Sequence, residues 1–379
     1  MRKAFVIALG LLFFSLVQAQ KGENVSYNFS FGEGYVIPTN DFLKGKGEGN
    51  SKHPLISNFS LRISKLADKS KNSWHLYSDY RYGFGLYHGI FSNSEHLGNP
   101  FGVYAFAGFS PLKKEKFTLK NELALGISGV WDYYSEDNPT NIAVSMPLEV
   151  YVHWSLEAYW QLQEHYMLNA GIMFTHFSNG ALKKPNKGIN ILTPNVGISY
   201  TPKPVKTEQK EYKTLFSPAL HSDITTWIGI HAESFPYEIS PEVFDTIQES
   251  YPVIGQQWRF TFDVSPKYEI GAGAELIYNS SVWKTDSMHY RKEDYKRVPF
   301  ENKLTLAAFL TFNYNVKPFS VSVEFGRNVT QRLFHASQVY QRLGLRYYAG
   351  DNFFVQMALR AYELHVAEYI EWGIGYRFY

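Results

Sequence analysis

The chain has 379 residues, no cysteine, and 37 basic against 35 acidic side chains, for a net charge of +2. No disulfide can staple it, and the charge balance excludes bulk attraction to nucleic acid. Aromatic residues make up 17% of the sequence at a mean hydropathy of −0.28, which fits a strand-rich chain whose apolar side chains are spaced apart rather than run together.

The N-terminus reads MRKAFVIALGLLFFSLVQAQ. Arg2 and Lys3 precede an apolar run from Ala4 to Val17, and Val17-Gln18-Ala19 suits a signal peptidase, so residues 1–19 are expected to be a secretory signal peptide. No second run of about 18 apolar residues follows, so no transmembrane helix is expected in residues 20–379.

The remaining chain alternates. In SWHLYSDYRYGFGLYHG, Trp74, Leu76, Ser78, Tyr80, Tyr82, Phe84 and Leu86 share one face, opposite His75, Asp79, Arg81, Gly83 and Gly85. In PLEVYVHWSLEAYW, Leu148, Val150, Val152, Trp154, Leu156 and Trp160 oppose Glu149, His153, Ser155 and Glu157. The pattern recurs in YMLNAGIMFTHFS, GINILTPNVGISY, KLTLAAFLTFNY and FSVSVEFG. These runs exceed the five or six residues usual in globular sheets and suit tilted membrane crossings of about 9–11 residues.

Compact turns near residues 111, 161, 265, 316 and 349 alternate with longer polar connections near 37–54, 91–99, 134–146, 236–252 and 282–300. Short turns on one side and long loops on the other predict an all-β chain: an antiparallel transmembrane β-barrel of the outer membrane, with about 12–16 strands over residues 20–379. A secreted β-sandwich is the alternative. The charged segment PKPVKTEQKEYKTLF breaks the short-turn side, so 202–219 is read as a periplasmic excursion or as a boundary between an N-terminal set of eight strands and a C-terminal set. The last strand, EYIEWGIGYRFY, sets Ile370, Trp372, Ile374, Tyr376 and Phe378 opposite Glu371, Gly373, Gly375 and Arg377. That aromatic ending resembles the signal read by the barrel-assembly machinery.

One stretch carries chemistry. In THFSNGALKKPNKGIN, His176 and Ser178 continue the apolar face of Leu168, Ala170, Ile172 and Phe174. Asn190 shares a face with Leu192, Val196 and Ile198 on the returning strand. If His176 lies opposite Asn190, three polar side chains stand together on the lipid-facing side, where a barrel ordinarily puts none. Taken alone, the histidine and serine are two polar residues at a strand end. Side chains two apart on one strand face nevertheless lie close enough for an imidazole to take a hydroxyl proton.

The residues His176-Phe177-Ser178-Asn179 and Pro185-Asn186-x-Gly188-Ile189 resemble the H-x-S-N and P-N-x-G-I motifs of the PagL-type outer-membrane lipid A 3-O-deacylases. The ending AEYIEWGIGYRF is similar to that of their longer, acyloxyacyl-hydrolase-like relatives in Bacteroidetes. The resemblance implies a serine esterase acting on lipid A or lipopolysaccharide in the outer membrane, with Ser178 as nucleophile and His176 as general base. Backbone N–H groups around Gly180 and Ala181, or the amides of Asn179 and Asn186, would stabilise the oxyanion. Asn190 falls where the family carries a glutamate, so the third member would orient the imidazole without adding charge. Glu136 or Asp137 in the preceding outer loop is the other candidate for that place. Lys183, Lys184 and Lys187 could meet lipid phosphates or simply solvate a loop. No cofactor or metal is implied. The rival function is a porin or transporter, in which the lumen works and the hairpin is vestigial.

Overall fold

The computed structural model describes residues 23–46, 55–68, 76–77, 79–204, 216–240, 243–280, 300–316, 318–330, 338–363 and 366–378. The expected signal peptide, most of the 202–219 segment, and Trp74, His75, Ser78 and Tyr379 lie outside them.

Among the described residues sixteen strands are present, and they close as two antiparallel barrels of eight. The first is built from β1 (Val25–Ile37), β2 (Leu55–Leu66), β3 (Arg81–Phe91), β4 (Gly98–Lys113), β5 (Phe117–Trp131), β6 (Glu149–Gln161), β7 (Tyr166–Ser178) and β8 (Ile189–Tyr200). Each strand pairs with its successor, and β8 returns to β1. The second comprises β9 (Leu220–Ser240), β10 (Val243–Ser265), β11 (Tyr268–Asn279), β12 (Leu304–Val316), β13 (Phe319–Asn328), β14 (Val339–Ala349), β15 (Phe353–Tyr362) and β16 (Val366–Phe378), with β16 closing on β9. The strand number is the upper end of the expected range. The last strand of the first barrel ends at Tyr200 and the first strand of the second begins at Leu220.

Both barrels are inverted relative to a soluble protein. Outward positions of the first carry exposed Phe29, Leu61, Leu123, Ile172, Leu192 and Val196, while buried Arg62, His153, Glu157 and Asn195 point inward. The alternation read from the sequence therefore places apolar side chains outside and polar ones inside. A buried charge needs partners. Arg62 donates to Glu157 at 2.9 and 3.1 Å, to Glu122 at 3.2 Å and to Asn28 Oδ1 at 2.6 and 3.0 Å, while Glu157 also accepts from the Tyr159 hydroxyl and Asn195. The other end of this lumen is aromatic: Tyr87, Tyr104, Trp131, Tyr151 and Phe177 form one buried cluster, joined by Phe42, Leu43, Ala143 and Val144 from the loops. The long-loop end is therefore plugged by its own side chains.

Two local expectations change. The strand expected over 73–89 begins only at Arg81, because Asp79 is left-handed (φ 51°) and its carboxylate is held by Lys113 and Ser110, both at 3.4 Å. The connection expected near 236–252 is strand: β9 and β10 stay paired as far as Ser240 and Val243. Phe235, Tyr237 and Ile239 alternate with other residues there, so the β pattern continues through what read as a polar loop.

Candidate active site

The site is made where β7 ends and β8 begins. His176 and Asn190 are direct cross-strand partners, Thr175 faces Ile191, and Phe177 faces Ile189. Strand alternation turns Thr175 and Phe177 inward, where both are buried, and leaves His176, Ser178 and Asn190 half-buried on the outward face. Phe177 anchors the strand end from inside, its ring 4.9 Å from Trp131, 5.4 Å from Tyr151 and 5.6 Å from Tyr87. The outward side chains thus stand on a packed base, which fixes their direction.

Both nitrogens of the imidazole are engaged. His176 Nδ1 donates to Asn190 Oδ1 at 2.7 Å, and the Ser178 hydroxyl donates to His176 Nε2 at 3.0 Å. An amide oxygen can only accept, so the asparagine sets the tautomer: the proton sits on Nδ1, and Nε2 is left to accept the serine's hydrogen bond. Glu136 and Asp137 are exposed on the loop between β5 and β6, and the imidazole's hydrogen bonds go to Asn190 and Ser178 instead. Glu149 is buried with its carboxylate accepting from Met146 N–H, on the lumen side of β6.

The residues expected to support an oxyanion divide. Asn186 Oδ1 accepts from the Asn179 backbone N–H at 3.3 Å, and Asn179 donates its side-chain amide to Ser145 Oγ at 2.8 Å. These two asparagines therefore tie the loop to its neighbours. Gly180 and Ala181 are consecutive left-handed residues (φ 62° and 66°) that turn the backbone sharply after the serine. Lys183 and Lys187 are exposed and Lys184 half-buried on the same loop.

Three features were not read from the sequence. Gly188 is left-handed (φ 67°), and a Cβ there would come within 3.0 Å of His176 Cε1, so only glycine lets the chain pass this close to the imidazole. Lys187 N–H and Gly188 N–H donate to the carbonyls of Ile142 and Ala143, both at 3.0 Å. That receiving segment is itself held by buried Asn141, which accepts from Ala143 and Val144 N–H and donates to the carbonyls of His96 and Asp132. The motif glycine was visible, whereas Asn141 sits in an aperiodic loop with only an Asn-Pro turn signal nearby.

One further group brings donor atoms together: His221, Asp263 and Glu269 of the second barrel lie within 4.8 Å of one another. Both oxygens of Glu269 already accept from Arg377, one also from Asn315 and the other from Asn313. The cluster is an ion-pair network rather than a coordination shell.

A family model described as lipid A 3-O-deacylase (PagL) matches residues 58–199, and one described as acyloxyacyl hydrolase, C-terminal domain, matches residues 221–379. The two matches fall one on each barrel. No curated protein matches the chain. Among solved structures, a triple-mutant form of the Rhodopseudomonas blastica porin is 8% identical over 93% of this chain and 99% of that one, with a TM-score of 0.17. Another mutant of the same porin gives the same coverage and score at 7% identity. Likeness at that score carries no argument.

Proposed function

Because the chain belongs to the PagL-type family, in the form that carries an acyloxyacyl hydrolase C-terminal domain, we propose that it removes an ester-linked acyl chain from lipid A or lipopolysaccharide in the outer membrane. The observation that carries the reading is the Ser178–His176–Asn190 hydrogen-bonded chain on the outward face of the first barrel. Apolar side chains surround it on the same strands, Phe174 and Ile172 below His176 and Leu192 below Asn190. A substrate whose acyl chains lie in the bilayer would meet the serine without leaving the membrane.

The reaction follows from the donor directions. Ser178 Oγ attacks the ester carbonyl as its proton passes to His176 Nε2, and the resulting imidazolium keeps its Nδ1–H on Asn190. Collapse of the tetrahedral intermediate expels the sugar hydroxyl, which takes the proton from Nε2 and leaves an acyl-serine. Water, deprotonated by the same nitrogen, then releases the fatty acid. Backbone N–H groups of the left-handed turn at Gly180 and Ala181 are the assigned oxyanion donors. The lysines at 183, 184 and 187 are assigned to the lipid phosphates.

The inverted barrels support an outer-membrane location, reached through a signal peptide at 1–19 and through a C-terminal strand offered to the assembly machinery. The porin reading is the weaker one, since the described interiors of both barrels are occupied by aromatic clusters and buried ion pairs. Mass spectrometry of lipid A from cells with and without the protein tests the proposal. Expression should produce lipid A lighter by one acyl chain, and identical lipid A profiles would count against it.

A further inference from the structure

A barrel wall that meets lipid turns apolar side chains outward, and an ionisable side chain there is costly unless something in the membrane or in the protein partners it. Glu33 is such a residue. It stands on β1 between Phe31 and Tyr35, exposed as they are, while Ser30, Gly32, Gly34 and Val36 on the other face are buried. Among the described residues of these eight strands no other carboxylate faces outward: Glu122 pairs with buried Arg62, and Glu149 and Glu157 are buried.

Register ties Glu33 to the row that carries the serine site. Ile37 is the cross-strand partner of Asn190, itself the partner of His176, so the three stand side by side on β1, β8 and β7. Glu33 lies four residues back from Ile37 on the same face, about 13 Å along the strand, and two strands from β7, about 10 Å across. The carboxylate is therefore about 16 Å from the imidazole along one outer wall. Exposed Tyr35, Leu192 and Ile172 pave the space between.

Ser57 of β2 is the direct partner of Glu33 and donates its hydroxyl to Glu33 Oε1 at 2.5 Å. With that proton committed, the pair offers acceptor oxygens to the lipid side. A glycerophospholipid presents ester oxygens where headgroup meets acyl chain, which only accept, and its phosphate repels a carboxylate. An acylated glucosamine presents amide N–H and hydroxyl donors at that junction. We propose that Glu33 and Ser57 form a second subsite for lipid A, accepting from the N–H and O–H groups of its sugar–acyl junction and so favouring a glucosamine lipid over phospholipid. The subsite presupposes the esterase activity proposed above. At about 16 Å from the imidazole it holds substrate and takes no part in the reaction.

The test is steady-state kinetics of detergent-solubilised wild type, Glu33→Leu and Glu33→Gln, each confirmed as a heat-modifiable barrel, on lipid A and on p-nitrophenyl dodecanoate, an ester without such donors. In Glu33→Leu the KM for lipid A should rise about tenfold with kcat held, as when one hydrogen bond to a charged acceptor is lost. Glu33→Gln keeps an acceptor oxygen and should recover much of that loss, and neither change should move the kinetics on the p-nitrophenyl ester. An unchanged KM for lipid A, or an equal loss on both esters, would overturn the subsite and leave the esterase standing. If the wild type releases no acyl chain from lipid A, the esterase reading fails instead, and retention of lipid A against phosphatidylglycerol in mixed micelles decides the subsite. The wild type should then favour lipid A about tenfold more than Glu33→Leu does, and equal preference would count against it.

Discussion

Asn190 separates two contributions an acid would supply together: orienting the imidazole and stabilising its charge. With an amide oxygen 2.7 Å from His176 Nδ1, orientation is present and charge is not. Asn190→Asp should therefore keep or raise the rate of acyl release, because a carboxylate accepts the same hydrogen bond and also favours the imidazolium. Asn190→Leu frees the ring to rotate and should cost at least about tenfold in kcat, with little change in KM. A rate unchanged by the leucine would show that the contact does no work. These three residues were legible because strand alternation fixes facing and cross-strand register fixes neighbours. The supporting roles of Asn179 and Asn186 were not, since a loop amide can turn toward a backbone donor or a substrate with equal ease.

At the scale of the element, the site depends on how the loop after β7 is held. Gly188 passes against the imidazole in a left-handed conformation, and its N–H is donated to Ala143. Gly188→Ala adds about 1–2 kcal/mol of backbone strain and presses on His176. Its expected signature is a loss of kcat larger than the loss of thermal stability, measured on the same preparation. Phe177→Ala acts from the inside: it empties a buried ring position between Trp131, Tyr151 and Tyr87 and should destabilise the first barrel by about 3–5 kcal/mol. Strand periodicity predicted which way Phe177 points. The loop segment 142–144 and its Asn141 brace had no period to read, so this half of the site emerges only from the folded chain.

For the whole molecule, alternation and turn spacing carried the class and the strand number. Closure into two barrels was not legible, because it rests on the β8–β1 and β16–β9 pairings between distant segments. Of the second lumen's arginines, Arg377 was visible as an inward-facing charge, but not its sharing of Asp223 and Glu269. Arg342→Leu would leave Glu275 and Glu371 buried with less compensation, and should lower stability by about 3–5 kcal/mol in denaturant titrations. The protein itself should fractionate with membranes and migrate in a heat-modifiable form. The central claim is that Ser178 and His176 act as one nucleophilic unit on lipid A, and acyl release by purified Ser178→Ala, His176→Ala and the double variant, each confirmed as heat-modifiable barrels, tests it most directly. The account predicts that each single change abolishes release and that the double variant is no worse than either; full deacylation by both singles would contradict it.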